Sequence, residues 1–156
     1  MDISKFNTKD KANEGQWVPI TLFGEEADFD LLILGDDSDI VQKYERKATK
    51  RLTNIIGKAI NGTGKPGEAA AEDSDDDDSY DESVIARIAG IRGWNVKREE
   101  GKEQSRKEEP VMLCGTQLKN DRESYLLLIT KIPAIKEIVM RYARDRNHFL
   151  LKPSKN

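Results

Sequence analysis

The chain has 156 residues, enough for one compact domain or two small lobes sharing a core. Its composition is polar, 37% hydrophobic and 35% charged with 6% aromatics, so any core is small relative to the wet surface and part of the chain is expected not to fold. The net charge of −3 hides an asymmetry of −2 over residues 1–61, −8 over 62–82 and +7 over 83–156, which lets the halves attract each other or steer partners of opposite sign.

Residues 1–15 show no usable apolar period and read as a flexible arm. Residues 16–61 read as a hairpin plus a long basic helix. In "WVPITLF" the side chains Val18, Ile20 and Leu22 share one face by the period of two, as do Phe29, Leu31 and Ile33 in "FDLLIL". Gly24 to Asp28, "GEEAD", reads as the connecting loop. Pro19 cannot donate to a ladder, which places its strand at an edge. From about Asp39 to Ile60, Val41, Tyr44, Ala48, Leu52, Ile55 and Ala59 recur at steps of three and four, with lysines elsewhere on the wheel. Asn61-Gly62 and Pro66 end that helix.

Residues 62–82 begin as a Gly/Pro linker and become an acid run, read as a disordered or solvated linker. Residues 83–151 read as a C-terminal helical lobe. In it Val84, Ile85, Ile88 and Ile91 form a short amphipathic helix ending at "GIRGW", with Trp94 as a core anchor. The stretch 97–109 is a charged loop or hairpin tip, and Val111 to Cys114 a short strand or extended segment. Asn120 with Glu123 has the form of a helix start, and Ile132-Pro133 separates that helix from the last one. There Ile135, Ile138, Val139, Tyr142 and Ala143 face one way. Phe149 and Leu150 fold back onto the core, and residues 152–156 are a frayed tail.

Little here suits an enzyme. One His and one Cys cannot assemble a zinc site of the usual kind. His148 reads as a surface or helix-end residue, and Cys114, beside Met112 and Leu113, as a small buried apolar one. "GTGK" at Gly62 to Lys65 lacks the earlier glycine of a phosphate loop, since Ala59 stands there and Pro66 follows the lysine. An EF-hand opening at Asp73 would need Gly where Asp78 stands and Glu where Val84 stands. No catalytic residue, metal or cofactor is therefore expected. The cluster Gly35-Asp36-Asp37-Ser38-Asp39 reads as a strand-to-helix joint whose Asp37 or Ser38 caps the first free amides. A single cysteine excludes an intrachain disulfide, and the absence of a signal-peptide stretch near the start gives a cytoplasmic expectation. The apolar runs are far shorter than the roughly 20 residues that cross a bilayer, so no membrane span is expected.

Three landmarks in order carry a resemblance: "GQWVPITLFGEEADFDLLILGDDSDIVQKYERKATKRL", "IAGIRGW", and "KNDRESYLLLITKIPAIKEIVMRYARDRNHFL" with its Ile-Pro break and Asp-Arg-x-x-Phe close. The chain resembles the tail assembly chaperones of long-tailed bacteriophages, and these landmarks cover roughly two-thirds of it. The acid run 72–82 and the stretch 97–109 are the departures. The resemblance implies a non-enzymatic α+β protein, mostly helical, made in the host cytoplasm and absent from the mature virion. Its partners would be the tape measure protein and, through a frameshifted longer form, the tail-tube protein. Lys155-Asn156 can be encoded by AAA AAC, the body of a common slippery heptamer.

A holdase for long helices needs apolar grooves in a charged exterior. Tyr44, Leu52 and Ile56 on the long helix and Ile138 and Tyr142 on the last one are the candidates for that groove, and each also reads as a core residue. Homo-oligomerisation is compatible with such faces. A structural virion protein of the head-tail or tail-completion kind is the alternative. A nucleic-acid-binding regulator is a third reading, opposed by the Glu137 and Asp145 that interrupt the basic helix.

Overall fold

The computed structural model describes residues 1–60, 76–97, 101 and 105–150. The acid run up to residue 75, the "GTGK" stretch, most of the tip between 98 and 104 and the tail 152–156 lie outside them. The fold is α+β and mostly helical. In chain order a 3-10 turn (Ser4–Phe6) and α1 (Lys9–Glu14) precede β1 (Gln16–Leu22), β2 (Glu25–Ile33) and α2 (Asp39–Ile60). Then come α3 (Asp76–Ala86), β3 (Ile88–Lys97), β4 (Ser105–Glu109), β5 (Met112–Leu113) and β6 (Thr116–Gln117). The chain closes with α4 (Arg122–Lys131), α5 (Ala134–Arg144) and a 3-10 turn over Arg146–Phe149. The strands β1 to β4 form one antiparallel sheet in that order, and β5 and β6 a separate ribbon.

Alternation in β1 and β2 works as the sequence implies. Val18 pairs with Leu31 and Leu31 with Ile91, so these side chains share a face, and Ile20, Phe29 and Ile33 join them in the core. That face is covered by Tyr125, Leu128 and Ile129 of α4 and Ile135, Val139 and Ala143 of α5. β1 is an edge strand, the place in a sheet that tolerates Pro19.

The hairpin turn is tighter than "GEEAD" suggests. Leu22 pairs with Glu25, leaving only Phe23 and Gly24 to turn, at φ 53° and 81°. Two central residues with positive φ are the mark of a type I′ turn, which matches the twist of the strands and ordinarily takes Asn-Gly. Phe23 occupies the first position although its Cβ is strained there, and its ring is 90% exposed. Phe23→Asn should raise the stability by about 1 kcal/mol; an unchanged or lower melting temperature would show instead that the ring contributes to the folded state.

Several expectations are corrected. The helix expected over Val84 to Ile91 ends at Ala86, and Ile88–Lys97 is a strand in the middle of the sheet. The cause is a bulge: Ile33 pairs with Ile88 but Leu32 with Gly90, so Ala89 is an extra residue. It brings Ile88 and Ile91, three apart, onto one face and imitates a helical period. The C-terminal half is therefore no separate helical lobe, because its strands complete the sheet begun by the N-terminal hairpin. Trp94 lies on the face away from the helices, not in the core.

Residues 76–82, expected as linker, are the first turns of α3. Carboxylates suit the positive end of a helix, and Asp81 pairs with Lys136 at 2.7 Å while Glu82 pairs with Arg122. The arm 1–15 contains α1, docked through Ala12, which is fully buried. One apolar residue leaves no period to read. The charged stretch 97–109 is a β hairpin in its described part. Cys114 is exposed in a second two-residue turn, and Asp121, not Asn120, caps α4 by accepting from Ser124 N at 2.8 Å. Asn120 turns the other way, its Oδ1 accepting from Ile91 N at 2.8 Å.

The joint Gly35 to Asp39 is the hub of the molecule. Ser38 is fully buried and its Oγ accepts from Val41 N at 3.3 Å, opening α2. Asp36 accepts from Arg87 Nε at 2.8 Å. Asp37 takes both arms of Arg146, at 3.0 and 3.1 Å, and the Thr8 hydroxyl at 2.6 Å. Asp39 pairs with Lys9 at 3.0 Å. The three carboxylates thus anchor three distant parts of the chain.

Candidate functional site

Two features of α2 define the candidate site: its length and its unequal cover. Over its first turns the apolar side of the helix meets the body. Val41 is fully buried, the Tyr44 hydroxyl donates to Ser79 O of α3 at 2.9 Å, and Glu45 accepts from Arg87 and from Ser83. Beyond Ala48 the same side continues for about three turns, with a rise of 1.5 Å per residue giving roughly 20 Å of helix. There Leu52 is 58%, Ile56 49% and Ile60 77% exposed. Among the described residues nothing covers them.

The helical step puts Leu52 and Ile56 side by side, with Ile55 and Ala59 on the same flank. Around this stripe lie Arg46, Lys47, Lys50, Arg51 and Lys58, and residues 46–60 contain no carboxylate. An apolar ridge with a purely cationic surround is chemically suited to holding another amphipathic element.

The five candidate residues fall into separate settings. Leu52 and Ile56 lie together on the exposed stripe. Tyr44 is half-buried in the contact with α3. Ile138 and Tyr142 are half-buried on α5 and packed against the core. Tyr142 also stacks on His148, with ring centroids 3.8 Å apart, and meets the edge of Phe149. Burial, followed by the nearby Asp145 charge, pushes the Tyr142 hydroxyl above its ordinary range, so it stays protonated. Tyr142 thus holds the 3-10 turn over Arg146–Phe149 on the core, where Phe149 is 1% exposed.

Spacing alone misses two other surfaces. On the open face of the sheet, the Arg92 guanidinium lies 4.2 Å from the Trp17 ring centre and 5.0 Å from that of Trp94. Asp30, 5% exposed, accepts from Arg92 Nε and Trp94 Nε1, both at 2.9 Å. The signal was present as Trp17, Asp30, Arg92 and Trp94 at same-face positions, but only the register Pro19↔Asp30↔Arg92 aligns them. Arg92 and Trp94 thus pair the buried Asp30 carboxylate within the sheet. The second surface is a cleft of about 400 Å³ between the hairpin tip and the α4–α5 junction, lined by Leu22, Phe23, Ala27, Ile132 and Pro133 among others.

Electrostatics at the joint support a structural role. Hydrogen bonds from Arg146 and then Thr8 hold the Asp37 carboxyl below its usual range. Among the described residues no group of three or more His, Cys, Asp or Glu side chains is arranged to hold a metal ion. No described helix is long and apolar enough to cross a membrane. No family model, curated protein or solved structure matches this chain.

Proposed function

We propose that this chain is a non-enzymatic assembly chaperone of the kind found in long-tailed phages. In this reading it is made in the host cytoplasm, binds the tape measure protein, keeps its long helices soluble and helps recruit tail-tube subunits, the last through a longer frameshifted form. It leaves before the particle is complete. The order of the three sequence landmarks supports the reading. The observation that carries it is the projecting half of α2, whose Leu52, Ile56 and Ile60 are exposed on one stripe. A helix of a globular protein ordinarily turns such a stripe to its own core. Here it is presented outward, as holding a second helix requires.

Co-expression of the full chain with the tape measure protein of the same phage tests it. The expected result is a severalfold larger soluble fraction of that protein and its co-purification with the chain. An unchanged soluble fraction would end the proposal. Mass spectrometry of purified virions should not find the chain, whereas a structural virion protein would be present.

A further inference from the structure

The geometry points to the chemistry of the partner segment: α2 takes an amphipathic helix whose apolar seam is flanked by Asp and Glu, laid along Leu52, Ile55, Ile56 and Ile60. The inference rests on the helix-holding reading above and adds what that helix must look like.

Two observations lead to it. The first is continuity. The stripe that begins at Val41 is already covered, over its first turns, by a helix of this chain: α3 lies against Tyr44 and Glu45, with the Tyr44 hydroxyl bonded to Ser79 O and Glu45 bonded to Ser83 and Arg87. The covering element over the first half is thus an α-helix. A second helix placed beyond the end of that contact extends the same packing onto the exposed half.

The second is charge. Lys47, Arg51 and Lys58 line one margin of the exposed stripe and Arg46 the other, with no carboxylate in residues 46–60. A partner helix with lysines beside its seam would bring like charges together as the apolar faces close, whereas carboxylates would be drawn in and paired. The apolar ridge supplies the affinity and the cations choose the sequence.

The test uses the full chain and two synthetic helical peptides of roughly 25 residues, long enough to hold a helix. They share one Leu/Ile seam and differ in carrying Glu or Lys at every flanking position. Fluorescence anisotropy should show the Glu peptide binding at least about tenfold more tightly than the Lys peptide, with the gap narrowing as salt rises. Leu52→Asp with Ile56→Asp should weaken the Glu peptide by about 100-fold without lowering the melting temperature, because both side chains stand clear of the core. The charge reversal Lys47→Glu, Arg51→Glu, Lys58→Glu should invert the preference.

Equal affinities for the two peptides overturn the inference, as does a double variant that binds as the native chain does. Tighter binding to phosphatidylserine vesicles or to duplex DNA than to the Glu peptide also overturns it, in favour of a membrane or nucleic acid. So does a dimer of the native chain that the double variant converts to monomer, which would make a second copy the occupant. If the tape measure protein is solubilised by both the native chain and the double variant, the inference fails and the chaperone reading stands. If neither peptide binds and the tape measure protein stays insoluble, both fail.

Discussion

Arg87→Ala should destabilise the protein by about 3 kcal/mol, the scale for removing one partner of a buried ion-pair cluster. With roughly 2–4 °C per kcal/mol for a chain of this size, the melting temperature should fall by about 10 °C. Arg87 is at the turn between α3 and β3 with its side chain only 5% exposed. Its guanidinium donates to Asp36 Oδ1 at 2.8 Å, to Glu45 Oε1 at 3.1 Å, and to the backbone and hydroxyl oxygens of Ser83, both at 2.7 Å. One planar fork thus ties the joint, α2 and α3 together. Glu45 and Asp36 are partly exposed, so water relieves some of the loss, which keeps the expected cost at the lower end of the range for buried pairs. Arg87→Lys retains the charge but not the fork, so it should fall between the two. A loss below about 1 kcal/mol for the alanine variant in urea unfolding would show that the cluster behaves as an ordinary surface pair.

Gly35→Ala should cost about 2 kcal/mol, the middle of the range for overpacking a close-packed site. A Cβ added at Gly35 would stand 2.7 Å from the Ala12 Cβ and 3.0 Å from two carbons of the Phe149 ring. Neither neighbour is a flexible chain end. Ala12 sits on α1, whose carbonyl accepts from Gly35 N at 3.2 Å, and Phe149 is in the closing turn. The methyl group must therefore push apart α1 and the 3-10 turn over Arg146–Phe149, which meet at this joint. Hydrogen exchange should show early loss of protection in α1 and at Asp36 N, which donates to Ala143 O at 3.0 Å. Wild-type protection in both places, with an unchanged urea midpoint, would show that the packing there is loose.

Much of the fold was readable where a single period ran without interruption. The alternation of Val18, Ile20, Phe29, Leu31 and Ile33 marked two strands, and the apolar repeat from Val41 to Ala59 marked α2 from Asp39 to Ile60. Where the period broke, the reading failed. The bulge at Ala89 gave Ile88 and Ile91 a helical spacing inside a strand, and one buried alanine was too little to reveal α1. The start of α3 looked like linker because Asp81 and Glu82 find their partners on α5 and α4, far away in the chain.

The candidate site divides in the same way. The sequence by itself determined which side chains share a face of α2 and that its exposed half carries cations alone, because helical geometry and residue identity are local properties. Only the tertiary structure decided that Tyr44 is covered by α3, that Ile138 and Tyr142 pack on the core, and that among the described residues nothing covers Leu52 and Ile56. The apolar repeat is the same in all these places; what differs is whether an element distant in sequence arrives to bury it.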